Sequence, residues 1–115
     1  MSIKQQILAA NDLRLEKLEI PEWNVNLWVR AWDGSARSRH EDRARALSKG
    51  ASTRFLREHI VAISVCDEEG RLVFDEDKDL EALSKKSSAI LDRIVAAALK
   101  VNAITADDLN DLKKS

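Results

Sequence analysis

The chain has 115 residues, an apolar fraction of 44%, and 19 basic against 20 acidic side chains for a net charge of -1. That length fits one domain, burying roughly two thirds of its unfolded surface without disulfides or metal, and the balanced charge excludes a global field toward nucleic acid or an anionic membrane. A lone Cys66 excludes an intramolecular disulfide and the usual thiolate zinc sites, and the lack of a signal-peptide core or a membrane-length apolar run leads to the expectation of a cytoplasmic protein.

Ser2 is placed to cap a short helix carrying Ile3, Ile7 and Leu8, which Asn11-Asp12 stops; residues 1–12 read as an N-terminal arm, and residues 13–115 as one domain. From Leu13 to Ile20 apolar residues change parity midway, which predicts a strand with a mid-strand irregularity. Pro21 cannot donate to a ladder, so the chain turns at Pro21-Glu22. From Trp23 to Trp32 the period is two. Trp23, Val25, Leu27, Val29 and Ala31 form the core face, and Asn24, Asn26, Trp28, Arg30 and Trp32 the opposite one.

Asp33-Gly34-Ser35 ends that strand, and Ser35 is read as the cap of a helix through about Leu47, with Ser48-Lys49-Gly50 as its exit. Only Ala36, His40, Ala44 and Leu47 align on this helix, which places it on the periphery. Ser52 or Thr53 starts a short helical turn. The run Ile60 to Cys66, apolar on both parities and rich in β-branched residues, reads as the central strand of a sheet. Asp67-Glu68-Glu69-Gly70 then turns the chain into an antiparallel return over Arg71 to Phe74. Asp75 or Asp77 caps a helix with Leu80 and Leu83, and Ser84 or Ser87 restarts it. Ala89 to Val101, with Ile90, Leu91, Ile94, Val95, Ala98 and Leu99 at helical spacing, is the principal core helix, ended by Asn102. Thr105 to Asp108 resembles a capping box opening a last helix with Leu109 and Leu112. The fold class expected from this order is α+β, a small, mainly antiparallel sheet packed against C-terminal helices.

Catalytic and metal-binding constellations are not expected. The acids Asp75, Glu76, Asp77, Asp79 and Glu81 lack the glycine-centred loop and distal glutamate of a calcium hand, and serve capping instead. His59 and Cys66, seven residues apart on one predicted strand, would face opposite ways roughly 23 Å apart at strand rise, too far for a nucleophile pair. Cys66 reads as a small hydrophobe. The scattered glycines, Gly34, Gly50 and Gly70, form no phosphate loop, and no cofactor is expected. Arg37, Arg39, Arg43 and Arg45 are the one basic cluster, diluted by Glu41 and Asp42 and spread around the helix; the alternative function they suggest is a small nucleic-acid-binding regulator, whose binding would fall with salt. Trp28, Arg30 and Trp32 admit two readings of equal weight. Either the Ser35 to Leu47 helix covers them, or they form a contact surface, where tryptophan and arginine act as anchors.

In this order the elements resemble the tail assembly chaperones of long-tailed phages and prophages. The resemblance is carried by the arm ending AANDLRLEKLEI, by PEWNVNLWVR, by the tract HIVAISVCDEEGRLVFDEDKDLEALSKKSSAILDRIVAAALKVN and by the ending AITADDLNDLKKS. PEWNVNLWVR is similar to a proline-glutamate-tryptophan, small residue, apolar-x-apolar-arginine signature. The long tract shares an aspartate-x-x-glycine turn, a phenylalanine followed by acids, and a helix ending in asparagine. Asn24 and Asn26 depart from this pattern where glycine is frequent, Trp28 stands where a smaller or different aromatic residue is frequent, and Gly34 to Arg57 matches loosely.

The resemblance implies a non-enzymatic late protein, absent from the mature virion, acting in the host cytoplasm. Its implied partners are the tape-measure protein and tail tube subunits, with self-association possible and no membrane or nucleic acid expected. Trp28, Arg30 and Trp32 are the expected partner-binding residues, and replacing all three by alanine is expected to leave the fold intact.

Overall fold

The computed structural model describes residues 2–48 and 55–102. Helix α1 spans Ile3–Ala9 and is closed by a reciprocal capping box: the Gln5 backbone N–H donates to Ser2 Oγ at 3.2 Å, and the Ser2 N–H donates to Gln5 Oε1 at 2.9 Å. It buries none of its residues, and Ile3, Ile7 and Leu8 are exposed.

Strands β1 (Leu15–Ile20) and β2 (Val25–Arg30) form a regular antiparallel pair from Leu15↔Arg30 to Ile20↔Val25. The expected mid-strand irregularity is not there. Unbroken pairing instead sends Leu18 and Ile20 inward with Leu27 and Val29, and sends Leu15 outward with Arg30. Pro21–Trp23 turns as a single 3₁₀ turn, as the fixed φ and missing N–H of proline predict, and Asn24 closes it in the left-handed region at φ 54°. Glu22 on this turn pairs with Arg93, whose hydrogen bond draws the Glu22 carboxyl down to about 2; both groups are solvated, so the pair adds little stability.

Helix α2 spans Gly34–Ser48. Its cap is Asp33, whose Oδ1 accepts from the Ala36 N–H at 2.8 Å, and not Ser35. The largest departure from expectation follows. Residues Leu56–Ser64 are helix α3, and only Val65–Cys66 form a strand, β3. An apolar run on both parities suits a fully covered helix as well as a fully covered strand, and here the helix wins because Glu58, His59 and Val61 through Ser64 are all buried among neighbouring elements. The central strand is therefore β2, in the order β1-β2-β3.

The Asp67 to Gly70 turn forms as expected, with Gly70 at φ 87° and the Asp67 carboxylate accepting from the Glu69 and Arg71 N–H groups. The return over Arg71 to Phe74 is reduced from a strand to one bridge, Cys66↔Leu72, because β3 is too short to pair with more. Asp75 caps, but it caps the turn ahead of helix α4 (Leu80–Ser84), accepting from the Asp77 and Lys78 N–H groups.

Helix α5, Ser88–Val101, is the core helix that its spacing predicts, burying Ile90, Leu91, Ile94, Ala98 and Val101. It packs with α3 against the inner face of the sheet, α4 packs on α3, and the core joins Ile20, Leu27, Val29, Val61, Ala62, Val65, Leu80 and Leu83 to α5. The fold class is α+β. The turn expected at Ser52 or Thr53, the exit at Gly50, and the Thr105 to Asp108 cap with its helix lie outside the described residues.

Asn102 does more than end a helix. Its Nδ2 donates to the Ala98 carbonyl, capping α5, while its Oδ1 accepts the Trp32 backbone N–H at 2.8 Å. One side chain thus ties the end of the core helix to the chain leaving β2. Asn102→Ala removes both bonds and leaves a part-buried N–H unpaired, so the unfolding free energy is expected to fall by about 1–3 kcal/mol; an unchanged urea midpoint would reject this role.

Candidate interaction site

The outer face of the sheet follows from the register. Trp28 lies opposite Lys17 on β1 and Cys66 on β3, and Arg30 lies opposite Leu15. Trp28 is half-buried, whereas Lys17, Glu19 and Asn26 around it are exposed. Arg30 is engaged at one end of this face: its Nη1 donates to the Gly70 carbonyl at 3.0 Å, and the Leu15 methyls approach to 3.7 Å from where a Gly70 side chain would begin. The 67–70 turn therefore folds over Leu15 and Arg30 and leaves Trp28 at the edge of an open surface. Beneath the turn Cys66 is buried, and burial pushes its thiol pKa up, as befits a small packing residue.

Trp32 goes elsewhere. The ladder stops at Arg30, so strand alternation no longer governs its direction, and its indole N–H donates to the buried Ser64 Oγ at 2.7 Å on α3. Its ring also lies 5.7 Å from that of His40 on α2. The three residues grouped by sequence alternation are thus not one surface. Trp28 and Arg30 share the outer face, and Trp32 is held between α2 and α3.

Behind Trp32 lies a polar cluster. His59, fully buried on α3, sits between His40 of α2 and Glu76 of the 75–79 turn. A carboxylate only accepts, so His59 Nε2–H donates to Glu76 Oε2 at 2.8 Å; the bare His59 Nδ1 then accepts from His40 Nδ1–H at 3.0 Å. The two rings stack at 5.3 Å, and Glu76 Oε1 accepts from Arg39 at 2.8 Å. Burial, then the nearby His59 and Arg43, hold His40 down at about 4. Burial also lowers His59, outweighing the opposing hydrogen bond from Glu76. Burial alone would raise Glu76, but its bonds to Arg39 and His59 keep it below the usual glutamate range.

Sequence reasoning weighed His59 only against Cys66, rejected that pair, and missed this cluster. The signal was available in the alignment of His40 with Ala36, which is buried on the inward side of α2. Among the described residues, no group of three or more histidine, cysteine or acidic side chains is arranged to hold a metal ion.

The order of elements and the sheet register invite comparison with known folds. No family model and no curated protein matches the sequence. The fold is similar to that of the tail assembly chaperone of bacteriophage HK97. The two structures superpose with a TM-score of 0.60 over 85% of this chain and 91% of that one, at 21% sequence identity.

The fold gives the α2 arginines a structural use. Arg37 pairs with Glu41, Arg39 with Glu76, Arg43 with Asp77, and Arg45 with Asp42. Their charge is matched within the protein, so among the described residues α2 presents no basic stripe of the kind phosphate backbones require. Among the described residues no helix is long and apolar enough to cross a membrane.

Proposed function

We propose that this chain is a phage tail assembly chaperone: it binds the tape-measure protein in the host cytoplasm, promotes tail tube assembly around it, and is not retained in the virion. The observation that carries the reading is the likeness of fold, which extends over most of both chains. It is supported by the sequence features that run in the same order along the chain, and by an arrangement suited to binding instead of catalysis.

The proposed partner surface is the outer sheet face, with Trp28 as an apolar anchor and Arg30 and Lys17 beside it as charged flanks. Such a face offers an aromatic anchor to an amphipathic helix while its exposed rim stays solvated. Trp32 contributes by fixing α2 and α3 and not by touching the partner. Self-association is part of the proposal, with the exposed Ile3, Ile7 and Leu8 of α1 as the contact, and is read by light scattering of the free chain.

The test is co-expression with a tape-measure protein from the genome that encodes this chain. The wild type should keep that protein soluble and co-purify with it and with tail tube subunits. Trp28→Ala with Lys17→Ala should weaken capture by about 30-fold or more, the range of an interface anchor, with an unaltered circular dichroism spectrum. Capture at wild-type strength would reject the surface, and a tape-measure protein that stays insoluble with the wild type would reject the function.

A further inference from the structure

We propose that the Glu76, His59 and His40 chain is a proton-operated latch: it docks α2 on α3 while the imidazoles are neutral, and lets α2 come away as a unit when both take up protons.

Two observations carry this. First, α2 is held by polar groups. Among those of its side chains that are described, only Ala36 is buried, and its links to the body run through His40 to His59 and to the Trp32 ring, Arg39 to Glu76, and Arg43 to Asp77. A helix docked on an apolar stripe loses burial when it leaves, whereas this one exchanges most of its contacts for water. Secondly, the geometry between the rings tolerates one added proton but not two. With one, His40 still donates from Nδ1 to the bare Nδ1 of His59. With both rings protonated, two N–H groups face each other at 3.0 Å and neither has an acceptor.

The surrounding charges set the sign. Facing the pair are Arg39 and Arg43 from α2 and Glu76 from the 75–79 turn, with Asp77 paired to Arg43 and Asp33 near Arg39, while Glu58, next to His59 on α3, pairs with Arg57. Arg43 and, at His59, Arg39 oppose protonation, and Glu76 favours it at His59, but burial leads and both imidazoles titrate below their ordinary value in the docked state. A released imidazole returns to about 6.5. The docked state is therefore at full strength above about pH 6.5, and it weakens as the pH falls toward the docked value of about 4 for His40.

Hydrogen exchange of the intact chain tests this without reference to any partner, so its outcome is independent of the tail-assembly reading. Protection factors, which remove the intrinsic pH dependence of exchange, are compared for α2 and α5 between pH 6.5 and 4.5. We expect α2 amides to lose protection at least tenfold while α5 amides change less than threefold. Equal losses in both helices would mean global acid unfolding and overturn the latch, as would α2 protection that is constant with pH. In His40→Gln the amide still donates to His59 but does not titrate, so the acid loss in α2 should shrink; a loss identical to that of the wild type would also overturn the proposal.

Discussion

Leu91→Ala is expected to lower the unfolding free energy by about 2–5 kcal/mol, the range for deleting a fully buried leucine from a core that collapses incompletely around the cavity. Leu91 has no exposed surface and lies on the face of α5 that packs with α3 against β1 and β2. A chain of this size has only about 5–15 kcal/mol of stability to lose, so the variant should unfold at a markedly lower urea concentration with its denaturant slope little changed. The neighbouring Asp92 provides the control. It is exposed and pairs with Arg57 at 3.1 Å, and Asp92→Ala should change the unfolding free energy by less than about 1 kcal/mol. Comparable effects at the two positions would show that α5 does not carry the core.

Trp32→Ala should cost about 2–4 kcal/mol, from the lost aromatic packing and from leaving the buried Ser64 hydroxyl without its indole donor. Trp28→Ala should cost less, below about 2 kcal/mol, since that ring is partly exposed and, among the described residues, makes no side-chain hydrogen bond to a buried partner comparable to that of Trp32 with Ser64. Paired denaturation curves separate the two. A larger loss at Trp28 than at Trp32 would reverse the roles assigned to them and put Trp28 inside the fold. The alanine triple at Trp28, Arg30 and Trp32, expected from alternation alone to spare the fold, is for this reason not a clean test of partner binding. The pair Trp28 and Lys17 is.

The histories of these two tryptophans show how far the sequence is legible. The period of two was real, and it correctly set Leu27 and Val29 against Trp28 and Arg30. It failed at Trp32 because alternation holds only while the ladder holds, and the backbone N–H of Trp32 is taken by Asn102 from a helix 70 residues away. Nothing local announces that bond. The misplaced strand over Ile60 to Cys66 has a similar origin. A run that is apolar on every side carries no period, so helix and strand satisfy it equally, and only the packing of α2, α4 and α5 around His59, Val61 and Ile63 decides for helix. The histidine chain was half legible: His40 aligns with the buried Ala36 on α2, but its partners, His59 and Glu76, come from a helix and a turn that had first to be placed.

What the sequence by itself determined was everything written in local chemistry: the Ser2 cap, the turn at Pro21, the hairpin β1-β2, the glycine turn at Gly70 and the amphipathic core helix α5. Each depends on a residue and its near neighbours, where φ restriction, capping geometry and side-chain period act within a few positions. Only the tertiary structure decided that α3 is a helix, that β2 and not β3 lies at the centre of the sheet, that Trp32 is spent on Ser64 while Trp28 stays at an open face, and that two histidines 19 residues apart share one hydrogen bond. Those outcomes turn on which elements remove water from which side chains, and that is set by contacts distant in sequence.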